Sequence, residues 1–172
     1  MAWDPGHPDI HPSVFVADTA RVYGRVTIAE DAVVMFGVVI RAEFDAITVG
    51  VGTNIQDNAV VHCDAGVPTT IGSASTVGHA AVVHGAVIGD HCLVGIGAMA
   101  LNRSELGEGA WLAAGSVLTE GRSIPPWTLA MGAPAKPVRE LTEDEVARQA
   151  SGAADYQRLR RLYLDLIRGS TD

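Results

Sequence analysis

The sequence predicts an all-β parallel β-helix followed by a C-terminal α-helix packed on its outside. Three observations predict it. An aliphatic residue recurs every six positions through most of the chain. A small or β-branched residue stands four positions after it. The composition holds 19 glycines and 48% hydrophobic residues but only 5% aromatics, a mixture suited to many short strands punctuated by turns. Six is not a helical period, but it is a multiple of the two-residue period of a strand. One large and one small inward position per hexad describe a short strand and a turn. Three hexads close one triangular coil, and each coil buries its apolar face on the next.

The first run in phase is Ile10, Val16, Val22, Ile28, Val34 and Ile40, with Val14, Ala20, Val26, Ala32 and Val38 as small partners. The phase breaks at Phe44 and resumes with Val49, Ile55 and Val61. After a second break come Ile71, Val77 and Val83. One residue is then dropped, and Ile88, Val94, Ala100, Leu106, Leu112 and Leu118 follow. This pattern resembles the hexapeptide-repeat proteins, and the resemblance supplies a left-handed coil sense. Pro125, Pro126, Pro134 and Pro137 are expected to end the repeat, giving a β-helix over residues 1–135 and a helical segment over 136–172. Thr142 and Glu145 form a capping box, with Leu141 and Val146 in staple positions. Leu159, Leu162, Tyr163, Leu166 and Ile167 fall on one helical face, expected to pack along the β-helix. Ser151-Gly152 is expected to divide a short early turn from the main helix.

The net charge is −8, all of it in residues 1–135, which hold five Arg, no Lys and thirteen acids. No clustered basic patch suits nucleic acid or an anionic membrane, and no apolar run has transmembrane length. Met1 to Ser13 does not read as a signal peptide. The two cysteines, Cys63 and Cys92, form no CxxC pair, so a reducing cytoplasm is the expected compartment. Cys92 occupies a small inward position and reads as core. Cys63 reads as a structural or merely tolerated thiol, although its place directly after His62 could bring it to a metal. His7, His11 and His91 read as solvated.

Ile40, Val61 and Val83 open the third face of successive coils. The residues after them, Arg41, His62 and His84, therefore stack one coil apart, about 4.8 Å. Two imidazoles at that spacing can share a metal ion. His79 lies on the preceding face, stacked on Asp57. Five residues of extended chain put it roughly 16 Å from His84, so it can reach that metal only from a neighbouring molecule. Such a heterologous contact closes into a ring, and a triangular prism suits three-fold closure.

Arg41-Ala-Glu43, Thr53-Asn54-Ile55-Gln56-Asp57, Val61-His62 and Val77-Gly78-His79 through His84-Gly85 resemble the γ-class carbonic anhydrases. So do the Gly132-to-Lys136 segment and the C-terminal helix. The resemblance implies a homotrimer that hydrates carbon dioxide to bicarbonate. It implies zinc, or iron or cobalt, bound between subunits by His62, His79 and His84. It further implies that Gln56 orients the reactive water, with Asn54 beside it, that Arg41 and Asp57 pair across subunits, and that Tyr156 approaches from the helix. Glu43, read either as a contact to the catalytic water or as half of an interface salt bridge, stands where the family usually has Asp. Phe44 stands where well-known members place a proton-shuttling glutamate, and the Cys63–Thr70 loop holds Asp64 as its one acid. Two other functions suit the fold: an acyl-CoA-dependent acyltransferase or thioesterase using one histidine as base, and a catalytically weak metal-binding subunit.

Overall fold

The computed structural model describes residues 6–169. It is a left-handed parallel β-helix of about seven coils carrying one C-terminal helix. Strand pairing runs in three ladders. One joins Asp9–Ile10 to Ser123–Ile124, the second joins Phe15–Val16 to Thr128–Gly132, and the third passes through Val60–His62 and Val82–His84 to Val117–Leu118. The strand Val39–Val49 is long because it crosses a corner and serves both the third and the first ladder.

The hexad residues are the core. From Ile28 to Leu118 the large inward residue of each hexad is at most 2% exposed. Burying each Val, Leu or Ile contributes roughly 1.5–3 kcal/mol, and that burial gives the prism its stability. Ile10, Val16 and Val22 are only partly buried, since among the described residues no coil lies outside theirs. The corners have their own requirement. Asp31, Gly52, Ala74, His91, Gly109 and Trp127 occupy equivalent places in successive coils, and all have left-handed φ between 51° and 67°. One such residue per corner bends the chain onto the next face.

The repeat does not end at the prolines. It continues through Ile124 and Ala130, which are 3% and 0% exposed. The cause lies in the ladder's direction: Gly89 N–H donates to Leu106 O and Gly107 N–H to Ile124 O, each to the following coil. Pro125 is next in that series, and with no coil after it the missing N–H costs nothing. Pro137 lies in the strand Ala135–Glu140, which turns back antiparallel on Thr128–Gly132 and covers the end of the second ladder.

The helix, Glu143–Gly169, is continuous, so Ser151-Gly152 does not divide it. Its 27 residues span about 40 Å, close to the stack of coils. Thr142 N–H donates to Glu145 Oε2 at 2.9 Å and Glu145 N–H to Thr142 Oγ1 at 3.3 Å, the reciprocal capping pattern. The helix then runs back toward the first coil. Gln149 Nε2 donates to Cys92 O, Gln157 Nε2 to Asp31 O, and Arg160 Nη1 to Ser13 O. The packed side overlaps the expected stripe only in part. Tyr156, Tyr163 and Leu164 meet the core, and Tyr163 stacks on Phe15 at 4.9 Å, whereas Leu162, Leu166 and Ile167 are 52–57% exposed. Polar Gln149, Gln157 and Arg160 hold the groove side because the β-helix edge offers carbonyl oxygens there.

Candidate metal centre

The third ladder sets Arg41, His62 and His84 in direct register on successive strands. Their neighbours Ile40, Val61 and Val83 point inward and are fully buried, so strand alternation sends the three polar side chains out. The two imidazoles have centroids 4.8 Å apart, and His62 Nδ1 lies 2.9 Å from His84 Nε2. Glu43 is buried beside them; its Oε2 is 3.6 Å from His62 Nε2, and its Oε1 pairs with Arg41. Phe44 meets the His62 ring edge-to-face at 6.2 Å.

The donor set fits a metal ion. Glu43 Oε2 and His62 Nε2 are buried without a hydrogen-bond partner, which costs roughly 1–3 kcal/mol per group and which a bound cation removes. Burial, then the charges of Arg41 and His84, hold His62 below its ordinary pKa, against a smaller opposing pull from Asp64. The ring is thereby kept neutral, as a ligand must be. Cys63 is a poor ligand by contrast. It is fully buried, and burial pushes its thiol up, away from thiolate. Cys92 is core, its thiol pushed up to about 12 by burial.

No protein-family model matches the chain. The carbonic anhydrase of Geobacillus kaustophilus is 40% identical over 92% of this chain and 83% of its own length. The mitochondrial gamma carbonic anhydrase 2 of Arabidopsis thaliana is 38% identical over 91% of this chain and 58% of its own length. Among solved structures, a Bacillus cereus protein described as an acetyltransferase superposes with TM-score 0.91 at 34% identity, over 92% of each chain.

The chain belongs to the γ-carbonic anhydrase family.

The other residues expected of a γ-carbonic anhydrase fall into separate groups within one chain. Asn54 is fully buried; its Nδ2 donates to Thr76 Oγ1 at 2.9 Å, and its Oδ1 accepts from Gln56 Nε2 at 3.1 Å. That fixes the orientation of the Gln56 amide. Tyr156 shares a groove of about 300 Å³ with Gln56, Trp111 and Arg148. Burial, with the negative charge of Asp57, raises the Tyr156 phenol, so it stays protonated at neutral pH. His79 stands apart from His62 and His84: its Nδ1 lies 2.9 Å from Asp57 Oδ2, and its side chain is 45% exposed. Arg41 and Asp57 do not pair within the chain, since Glu43 engages one and His79 the other.

Sequence reasoning missed two neighbours of His84. Asp64, His62 and His84 offer ligand atoms within 4.8 Å of one another, and Asn102 Oδ1 lies 2.9 Å from His84 Nδ1. The signal for Asn102 was its place one coil after Gly85. Among the described residues no helix is long and apolar enough to cross a membrane.

Proposed function

We propose that this chain is a subunit of a γ-carbonic anhydrase homotrimer that hydrates carbon dioxide reversibly to bicarbonate. In this reading His62 and His84 of one subunit and His79 of the partner subunit hold zinc, or iron or cobalt. The observation that carries it is the pair of imidazole nitrogens 2.9 Å apart beside two buried, unpartnered acceptor atoms. A metal bound there supplies the Lewis acidity that brings water to a pKa of about 7.

The chain's own residues do the positioning. Asn54 locks the Gln56 amide, and Gln56 orients the reacting water without competing for its proton. Glu43 accepts a hydrogen bond at the floor of the site, and in the single chain it is held by Arg41. Tyr156 closes the groove and stays protonated. In the trimer Arg41 exchanges Glu43 for Asp57 of the partner subunit, and Asp57's release frees His79 to ligate.

Phe44 favours a slow version of the enzyme. It lies against His62 and can accept no proton, so proton export limits turnover. Metal analysis and stopped-flow hydration test the proposal. Chelator-free protein is expected to hold about one metal per chain, and His84→Ala to lose both metal and hydration. Metal-bound protein with no hydration is the result for a binding subunit without catalysis. Acyl-CoA turnover by metal-free protein points instead to an acyltransferase.

A further inference from the structure

His84 is held from the side away from His62. Its Nδ1 faces Asn102 Oδ1 at 2.9 Å, and Asn102 Nδ2 donates to Asp64 Oδ2 at 2.8 Å. The second Asp64 oxygen, Oδ1, returns to within 3.8 Å of His84 Nε2. One amide thus engages both the imidazole and the carboxylate.

The chemistry of this chain of contacts has one polarity. A carboxylate can only accept, so the NH₂ end of Asn102 is the end turned to Asp64. Its oxygen therefore faces His84, and an amide oxygen can only accept as well. His84 Nδ1 must carry the hydrogen. A neutral imidazole has one N–H, so Nε2 keeps its lone pair on the side facing His62, where it accepts from His62 Nδ1–H at 2.9 Å while no metal is bound.

The backbone is built to admit Asn102. Gly85 follows His84 with φ +61°, and a Cβ there would collide with Asn102 Oδ1. The Gly85 amide is tied to Thr69 Oγ1 at 2.8 Å and His62 O at 3.1 Å. Asp64 is placed by its own tight loop, in which Val67 N–H donates to Asp64 O at 2.9 Å.

We propose that Asn102 is a positioning residue of the metal centre: it locks His84 in the Nδ1–H tautomer and aims Asp64 Oδ1 at the point where the His84 lone pair is directed. The proposal rests on the metal-centre reading of His84, but its first readout needs no metal. Removing an outer partner of a ligating histidine weakens metal binding by about 10–100-fold.

The test uses the full-length, ¹⁵N-labelled protein. Long-range ¹H–¹⁵N spectra of the metal-free form are expected to show His84 as the Nδ1–H tautomer in the wild type and in Asn102→Asp, whose carboxylate still accepts. In Asn102→Ala the tautomer is expected to move toward Nε2–H. Competition titration is expected to find zinc held about 10–100-fold more weakly by Asn102→Ala, with Asn102→Asp recovering only part of the loss, because its carboxylate accepts from His84 but has no N–H to give Asp64. Asn102→Leu, of similar volume, serves if the alanine variant folds poorly. An unchanged tautomer in the Ala or Leu variant overturns the proposal. A shifted tautomer with undiminished zinc affinity overturns the metal-centre reading of His84.

Discussion

One residue separates the rung that holds this fold together from the rung proposed to hold its chemistry. Ile40, Val61 and Val83 are fully buried, while Arg41, His62 and His84 stack beside them on the outside of the same strands. The inner rung is redundant, one of many similar layers, and tolerates any aliphatic residue of the right volume. The outer rung is unique to these coils and is specified by donor atoms. A solenoid can thus vary its outer rung at three coils while the inner rung sets the register.

Substitutions on the two rungs should therefore part cleanly. Val83→Asp buries an unpaired charge and is expected to abolish folding, read as loss of the β-sheet circular dichroism signal. Ile40→Ala should cost about 2–5 kcal/mol in urea unfolding. His84→Ala should instead leave the metal-free chain folded, with an unfolding midpoint close to wild type, while metal content drops to near zero. A large loss of metal-free stability in His84→Ala would mean that the two rungs are not separable.

Phe44→Glu probes the outer rung further. It puts a proton acceptor beside His62 and is expected to raise hydration turnover several-fold in weak buffer, with little gain in concentrated buffer. A subtler effect concerns pH. Because His62 is held below its ordinary 6.5 in the fold, the unfolded chain takes up that proton first as pH falls. The metal-free protein's stability from this group is complete above pH 6.5 and drains away below it. His62→Gln should flatten that part of the stability–pH curve. The smallest expected effect is remote from both rungs: Thr142→Ala, which removes half of the helix capping box, should cost about 1 kcal/mol.

The sequence showed the inner rung almost completely, because burial in a solenoid repeats with a fixed period. It also showed the stacking of His62 on His84 and of His79 on Asp57, which follows from counting residues per coil. Contacts that leave the period were not legible. Asp64 sits in the loop that interrupts the hexads, and it meets Asn102 across 38 positions of sequence. The chain's path through Pro125 was misjudged because proline is harmful only where its N–H is wanted, and that depends on which coil is last. The helix face was misjudged for a related reason. A groove lined with carbonyl oxygens takes glutamine and arginine, so apolar periodicity alone placed Tyr163 correctly but put Leu162, Leu166 and Ile167 on the packed side, where they are not.

The most direct test of a shared centre mixes two defective subunits. His79→Ala keeps His62 and His84, whereas His84→Ala keeps His79, and each alone is expected to bind no metal. Unfolded together and reassembled at equal amounts, random trimers should regain about 0.25 metal per chain, since each mixed ring contains one complete interface. A mixture that stays metal-free, or His79→Ala protein that binds metal fully by itself, would contradict a site built between subunits.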